Sequence, residues 1–327
     1  MTPPRDHAIG VAELDETAFD LDLDALRFEP LADRPSKVHL AHLGKPGLPD
    51  WLDTLPDVLA AKGLKRLRDA IVAAHHAGAP VVAALGGHVV KTGCAPFLVD
   101  WVERGVLGGL ALNGSAAIHD LELAISGRTS EDVGPRLMAG TFGFARETSA
   151  LFARACDRAT RDGIGLGAAL GIEVVEHGGP GLDSSLLVAA DRAGIPLTVH
   201  VAVGTDIVHM TPDLDGAALG AATLADFRRL ANLIARMSAG VWLNLGSAVV
   251  LPEVFLKAVA MVRNLGRSLD GLTTANLDFN QQYRGLLNVL QRPGAEGIAL
   301  TGHHEIMIPL LHAAVAARLA TPAAVSA

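Results

Sequence analysis

The sequence has 327 residues, of which 50% are hydrophobic and only 4% aromatic. A chain of this length can bury a full core in one large domain or two smaller ones, and its core must consist mainly of aliphatic side chains. The formal net charge is −8, from 27 basic and 35 acidic residues. Because no run of Lys or Arg is present to neutralise phosphates, the sequence argues against nucleic acid as a partner.

Three further features bear on the cellular location. No apolar run reaches the about 18 residues that a membrane-spanning helix needs. The first residues lack the basic and apolar regions of a signal peptide. The two cysteines, Cys94 and Cys156, have no metal-ligand spacing and are expected to be reduced and buried. We therefore expect a soluble cytoplasmic protein without a membrane partner.

The N-terminal part of the chain differs in composition from the rest. Residues 1–36 are acidic and irregular, which predicts an arm with at most one short helix. Residues 37–327 are expected to form a single α/β domain. Within it, residues 48–77 carry apolar side chains at helical spacing and predict one broken helix or two consecutive helices.

An alternation of short apolar runs and amphipathic segments then begins. The predicted strands are residues 79–85, 109–112, 195–203, 241–245, 272–275 and 297–301. The predicted helices are residues 95–104, 116–125, 131–138, 141–162, 183–193, 223–237, 252–264 and 303–319. Thr223 and Asp226 have the spacing of a capping box at the start of one of these helices. The alternation predicts right-handed βαβ units and a Rossmann-like, doubly wound, mostly parallel sheet.

Ligands of open parallel sheets bind beyond the carboxyl ends of the strands, and these positions are polar here. Small residues let a ligand approach the backbone, and helix N-termini offer N–H groups to a phosphate or carboxylate. The pattern would suit the pyrophosphate of a dinucleotide, although neither a G-x-G-x-x-G after the first strand nor a P-loop is present. The candidate cofactor-binding residues are Gly87, His88, Thr92, Asn113, Gly114, Ser115, Asp206, Gly246, Ser247, Thr274 and His303.

The histidines permit a second interpretation, a metal site. Most of them lie at or just beyond predicted strand ends, whereas His200 lies inside a strand and is expected to be structural. No H-x-x-x-H, H-x-H or H-E-x-x-H spacing is present, so a metal-dependent hydrolase is the alternative rather than the leading hypothesis. The histidines concerned are His88, His119, His209, His303 and His304.

Two weaker candidates complete the set. Lys91, in the first strand-to-helix turn, could be a desolvated amine able to form an imine, or simply a lysine that reaches solvent. The glycines of residues 163–167 (GIGLG) could form a phosphate loop or the entry to a helix.

Several strand-end segments, in the order in which they occur, resemble deoxyhypusine synthase over roughly residues 79–319. Residues 85–93 (LGGHVVKTG) are similar to the first NAD-contacting turn of that family, and residues 113–120 (NGSAAIHD) to its small-residue segment that ends in acidic residues. Further matches lie at residues 195–206 with Met210, residues 245–250 (LGSAVV), Arg263 with Asn264, and residues 309–311.

Residues 113–130, with HDLE at 119–122 and GRTS at 127–130, also resemble the NAD-binding C-terminal domain of bacterial and archaeal ornithine cyclodeaminases. Both relatives bind NAD and transiently oxidise the carbon of an amine. The resemblance therefore implies an NAD cofactor, a small amine or amino-acid substrate, and an imine that leads to aminoalkyl transfer or cyclodeamination. It also implies a homotetramer with sites at dimer interfaces.

The same resemblance implies roles for four catalytic candidates. His119 or His303 would move the proton, because imidazole titrates near neutral pH, and Asp206 and Asp278 would hold the ammonium group. The synthase carries its aminobutyl group on a lysine, but residues 280–292 contain no lysine or tryptophan. This departure argues against modification of a protein lysine, and leaves a non-catalytic NAD-binding protein as a third possibility.

Helical geometry favours His119 as the proton carrier. It follows Asn113 and Ser115 by about one helical turn, and helical side chains lean toward the N-terminus, so its ring should point back toward a ligand. Asp120 faces about 100° away and is expected to brace the turn instead.

Overall fold

The computed structural model of the protein describes residues 51–320, and the statements below concern that range. All of these residues belong to one compact unit. The expected acidic arm, residues 1–36, lies outside the described residues. No described helix has the length and apolar character needed to cross a bilayer.

Strands and helices alternate along the described chain. The strands are β1 (Val81–Leu85), β2 (Gly109–Asn113), β3 (Leu197–His200), β4 (Val241–Leu245), β5 (Thr273–Asp278) and β6 (Glu296–Thr301). The α-helices are α1 (Leu59–His76), α2 (Gly87–Lys91), α3 (Ala95–Glu103), α4 (Gly114–Ser126), α5 (Val133–Met138), α6 (Arg146–Asp162), α7 (Leu166–His177), α8 (Leu186–Ala193), α9 (Gly216–Ile234), α10 (Val250–Asn264) and α11 (His304–Ala320). Two 3₁₀-helices, Leu182–Ser184 and Ile207–Met210, and a π-helix, Gly285–Gln291, complete the described elements.

The six strands form one parallel sheet in the order β3-β2-β1-β4-β5-β6. The chain runs outward from β1 to β3, crosses back through α9, and continues outward from β4 to β6. This order is the doubly wound, Rossmann-like arrangement, in which the strand order reverses between β1 and β4. The predicted fold class is confirmed.

The core is aliphatic, as the composition predicts. All residues of β1 and β4 are buried, because helices cover both faces of the sheet. Leu85, Leu112 and Leu243 belong to the core on one face. On the other face, Trp242 stacks on Phe255 of α10 with ring centroids 4.3 Å apart, so the rare aromatic side chains reinforce a core of Leu, Val, Ile and Ala.

The predicted start of α9 is wrong. The helix begins at Gly216, where the Asp215 side chain accepts a hydrogen bond from the Ala217 N–H. Thr223 and Asp226 lie inside the helix and serve the neighbouring elements instead. Thr223 donates to the carbonyl of Val199, while the buried Asp226 carboxylate accepts from Gly167 and Val199. These hydrogen bonds cannot be predicted from a local sequence pattern, because their partners are distant in sequence.

The glycines of residues 163–167 form the entry to a helix rather than a phosphate loop. Gly163 ends α6 in the left-handed conformation, and Gly165 caps α7. A Cβ on Gly165 would lie 1.7 Å from Oδ1 of Asp226. An acidic side chain therefore fills the space that an anion would need.

Candidate functional site

A cavity of about 890 Å³ opens beyond the carboxyl ends of β1, β2 and β3. Its walls are the end of α2, the cavity-facing side of α4, residues 128–148, and the loop that follows β3. Three of the predicted site residues line it: Ser115, His119 and Asp206. Lys91 lines it as well, and is exposed.

Close backbone approaches at two glycines bring these residues together. A Cβ on Gly87 would lie 2.2 Å from Oγ of Ser115 and 3.0 Å from Cδ2 of His119. A Cβ on Gly114 would lie 2.0 Å from Oδ2 of Asp206. The turns after β1, β2 and β3 therefore meet at one point, with almost no space between the backbone and the polar side chains.

The N-terminus of α4 lies at this point. Asn113, the last residue of β2, caps the helix through its side chain, which accepts from the Ala116 N–H at 2.8 Å. The first N–H groups of a helix have no intrahelical acceptor and attract anions. The predicted position of Asn113 at a strand end is confirmed, and the carboxamide oxygen is occupied by the cap.

His119 is held by a chain of polar side chains. Its Nδ1 lies 2.7 Å from Oγ1 of Thr129, whose hydroxyl donates to Oε2 of Glu122 at 2.6 Å. Thr148 of α6 donates to the other carboxylate oxygen of Glu122 at 3.1 Å. Burial and, secondarily, the charge of Lys91 lower the pKa of His119. The ring is thereby biased toward its neutral form, which can accept a proton.

Asp206 occupies an unusual position for a carboxylate. Its Oδ2 is buried and makes no hydrogen bond with any described residue. Burial raises the pKa of Asp206 to about 6, because removal from water disfavours the charged form. His209 fixes the loop, since its Nδ1 accepts from the N–H groups of Gly204 and Asp206. Asp206 also lines the cavity, so a donor or cation bound there would lie next to this carboxylate.

The remaining charges of the cavity include both signs. Glu131 is paired with Arg136 and also accepts from the Gly143 N–H. Lys91 and Arg128 have no ion-pair partner within residues 51–320. The cavity can therefore offer cationic groups to a phosphate or carboxylate and the Asp206 carboxylate to an ammonium group.

Other predicted residues lie together in a second group, beyond β4, β5 and β6. His88 and His304 are joined by a contact of 3.0 Å between their Nδ1 atoms, and both rings pack on Phe279. A Cβ on Gly246 would lie 2.8 Å from Cε1 of His304. The other predicted members of this edge are Ser247, which is buried and accepts from Leu251, Asp278 at the end of β5, and His303, which is largely exposed. None of these residues lines the cavity.

Two predicted cofactor-binding residues do not line the cavity. Thr274 is the second residue of β5 and fully buried, so the expectation that it lies at a strand end is wrong. Strand β5 continues three residues further than the predicted strand, which ended at residue 275. The Thr92 hydroxyl donates to the carbonyls of His88 and Val89 and so ends its own helix.

The expectation for Asp120 holds only in part. Its side chain does not line the cavity, but it braces the start of α8 rather than the turn before α4. Its buried carboxylate accepts from the Ser185 hydroxyl and from the N–H groups of Leu186 and Leu187. It thus caps α8 and joins that helix to α4 without touching the cavity.

Sequence reasoning missed most of the cavity wall. Glu122 and Thr129 were present in the quoted HDLE and GRTS segments, and their spacing from His119 was the available signal. Thr148 gave none, because only the packing of α6 brings it to Glu122. As for metals, no three His, Cys, Asp or Glu side chains converge as ligands anywhere in residues 51–320.

Comparison with known proteins supports the fold. No protein-family profile and no curated protein matches the sequence. Among solved structures, the chain is similar to AgrE in its ternary complex with ornithine and NAD⁺, at 15% identity and a TM-score of 0.52 over 81% of this chain and 34% of that one. It is also similar to a conserved LOR/SDH protein of Methanococcus maripaludis S2, at 14% identity and a TM-score of 0.50 over 80% of this chain and 71% of that one.

A protein assigned as a deoxyhypusine synthase from Entamoeba histolytica matches at 9% identity and a TM-score of 0.46, over 79% of this chain and 88% of that one; this likeness is too low to carry weight. The chain spans only about a third of the length of AgrE. At these identities the comparisons establish a shared Rossmann-like α/β fold.

Proposed function

We propose that the protein is an NAD-dependent enzyme that oxidises the nitrogen-bearing carbon of a small amine or amino acid to an imine. The observation that carries this proposal is the cavity beyond β1–β3, where His119 and a buried, unpartnered Asp206 oxygen face the N-terminus of α4. A complex of AgrE with ornithine and NAD⁺ supports the same choice of ligands.

The residues of the cavity fit a dinucleotide. A volume of about 890 Å³ lies within the about 300–1,000 Å³ typical of small-molecule sites. Ser115, in the first turn of α4, would hold a phosphate, and Lys91 and Arg128 would neutralise it. Gly114 would not take part, because it is buried against the Asp206 carboxylate. Asp206 would accept from a ribose hydroxyl or from the ammonium group of the substrate. When bound, the nicotinamide would supply the hydride acceptor.

His119 would move the proton of this reaction. It lines the cavity, and its lowered pKa favours the neutral ring that acts as a base. His303 and Asp278 lie beyond β4–β6 and do not line the cavity, so we assign the proton to His119 and the ammonium group to Asp206. The missing lysine in residues 280–292 favours release of ammonia from a free amino acid over transfer to a protein.

The proposal is tested by ligand binding followed by assay. NAD⁺ is expected to bind with micromolar affinity and to raise the melting temperature, since a ligand at 100 times its Kd adds about 2.7 kcal/mol to folded-state stability. Ammonia release is then measured with L-ornithine, other basic amino acids and short diamines, because a transient oxidation returns its hydride and leaves no net NADH.

Each alternative gives a different result. A melting curve that NAD⁺ leaves unchanged, while zinc or manganese raises it and a chelator reverses the shift, contradicts the proposal and favours a metalloenzyme. NAD⁺ binding without turnover of any amine indicates a non-catalytic binding protein.

We also propose that the protein assembles as a homo-oligomer. Helix α5 has no buried residue, and Leu137, Met138 and the nearby Phe144 are 62%, 89% and 60% exposed. Apolar side chains exposed together mark interaction surfaces. Light scattering at micromolar concentration should give at least a dimer, and a monomer would contradict this part of the proposal.

A further inference from the structure

The hydrogen bonds around His119 decide which of its two ring nitrogens carries the proton. A carboxylate has no proton to donate, so both oxygens of Glu122 must accept. The Thr129 hydroxyl, 2.6 Å from Oε2 of Glu122, therefore gives its single proton to the carboxylate. Its oxygen is then left to accept from His119 Nδ1 at 2.7 Å. This requires the proton of a neutral His119 ring to be on Nδ1.

The opposite nitrogen faces a different environment. Within residues 51–320, no hydrogen bond uses Nε2 of His119, although the ring lines the cavity. The adjacent Cδ2 packs against the backbone at Gly87. With the proton on Nδ1, Nε2 has a free lone pair and is an acceptor.

We propose that Glu122, acting through Thr129, is a positioning residue that holds His119 as its Nδ1–H tautomer and leaves Nε2 as the base of the site. Glu122 itself is fixed from two sides, because Thr129 and Thr148 donate to different oxygens of one carboxylate. Thr148 belongs to α6, so the orientation of a ring on α4 depends on a second helix.

The proton balance of the step is simple. A ligand N–H bond breaks, its proton forms a new bond to Nε2 and its electron pair stays on the ligand nitrogen, while Nδ1 keeps its own proton throughout. The resulting imidazolium donates more strongly to Thr129, and the Glu122 carboxylate stabilises the charge through that hydroxyl. Glu122 takes no proton. The identity of the ligand rests on the proposed function, but the tautomer does not.

The tautomer can be measured without ligand. In the full-length protein labelled with ¹⁵N-histidine, the signals of His119 are assigned by their loss in His119→Gln, and two-bond ¹⁵N–¹H correlations show which nitrogen is protonated. We expect the Nδ1–H form to dominate at a pH where the ring is neutral. In Thr129→Val, which removes the acceptor, the Nδ1–H to Nε2–H ratio should fall by about tenfold, the equivalent of about 1.4 kcal/mol.

Two matched variants separate the hydroxyl from the side-chain volume. Thr129→Ser keeps the hydroxyl and should retain the Nδ1–H form. Glu122→Gln can donate to Thr129 as well as accept from it, which removes the bias and should raise the Nε2–H population. A dominant Nε2–H form in the parent protein, or an unchanged ratio in Thr129→Val, would overturn the proposal.

This experiment is independent of the proposed function. If the tautomer behaves as expected but neither NAD⁺ nor an amine binds, Glu122 positions His119 for a different ligand and the proposed function fails alone. If NAD⁺ binds and the ring is in the Nε2–H form, the positioning role fails alone.

Discussion

Strands β1–β3 and strands β4–β6 end at the same edge of one sheet and are followed by similar small residues and histidines, yet the two halves of this edge are built differently. Beyond β1–β3, polar side chains surround a cavity of about 890 Å³. Beyond β4–β6, the corresponding groups pack against one another, as in the His88–His304 contact and the ring of His304 over Gly246.

Gly86 and Gly87, which follow β1, differ in what surrounds them. A Cβ on Gly86 would lie 2.0 Å from the carbonyl oxygen of Gly246, a backbone atom of the other half. The three atoms nearest to a Cβ on Gly87 would belong to the side chains of Ser115 and His119. Two adjacent glycines of one turn therefore serve different purposes, since Gly86 allows close packing on the backbone of the β4–β6 half and Gly87 allows close packing of cavity side chains. Composition does not distinguish the two uses.

The largest expected effect is a loss of turnover when His119, on the β1–β3 side of the sheet edge, is replaced. His119→Ala should lower turnover by ~10²–10⁴-fold through loss of the proton carrier, while stability changes by less than about 1 kcal/mol. The measurements are initial rates of ammonia release and urea unfolding.

The matched control for that substitution is His304→Ala. His304 is buried, and its Nε2 contacts the Leu277 carbonyl at 3.2 Å, so its removal should cost ~1–3 kcal/mol of stability and less than about tenfold in turnover. The reverse pattern would place the chemistry in the β4–β6 half.

The next effect concerns backbone packing. Gly86→Ala should destabilise the protein by ~3 kcal/mol, because the new methyl group meets a backbone atom and both turns must move. Gly87→Ala should cost less stability, since side chains can rotate away, but should weaken NAD⁺ binding. Chemical denaturation and calorimetric titration measure the two effects, and equal losses of stability in both variants would remove the distinction between the two glycines.

A smaller effect concerns the pH dependence at Asp206. Its folded pKa of about 6 lies above the ordinary value of 3.8, so the folded state holds this proton more tightly than the unfolded state between these values. Stability contributed by the protonated group is present below about pH 4 and is lost as the pH rises to about 6.

Asp206→Asn should therefore be more stable than the parent by ~1–2 kcal/mol at pH 8, with the difference vanishing near pH 4. Buried Asp226, whose pKa burial raises to about 7, is present in both proteins and cancels in the difference. Urea unfolding at several pH values measures it, and a difference independent of pH would show that Asp206 is not desolvated.

The smallest expected effect lies in the helix that joins the halves. Asp215→Ala removes the N-cap of α9 and should cost ~1 kcal/mol. Thr223 is not a cap, and Thr223→Ser, which keeps its hydroxyl, should change stability by less than half as much. Thermal unfolding checks both, and an Asp215→Ala variant as stable as the parent protein would contradict the cap at Asp215.

Much of the fold was predictable, since its strands are continuous apolar runs with turns between them. Val241–Leu245 and the order of the βαβ units followed from periodicity alone. The boundaries of α9 and the strand end after Thr274 did not. Asp226 has the local spacing of a cap but hydrogen-bonds residues 59 and 27 positions away in sequence, and only tertiary packing determines such a partnership.

The candidate site was predictable in part for a related reason. Ser115, His119 and Asp206 follow strands that are adjacent in the sheet, so strand-end reasoning brought them together. The same reasoning also gathered Asp278 and His303, because it cannot tell a packed strand end from an open one. The cavity wall formed by residues 128–148 is not at a strand end at all, and Glu122 and Thr129 acquire their role only through contact with His119.

A crystal structure with NAD⁺ and L-ornithine tests the central claim most directly, because it shows which half of the sheet edge binds ligand. We expect density for the dinucleotide in the cavity beyond β1–β3, with a phosphate at Ser115 and a donor group of the ligand next to the Asp206 carboxylate. Density beside Phe279 and His303, with the cavity left to solvent, would contradict the account.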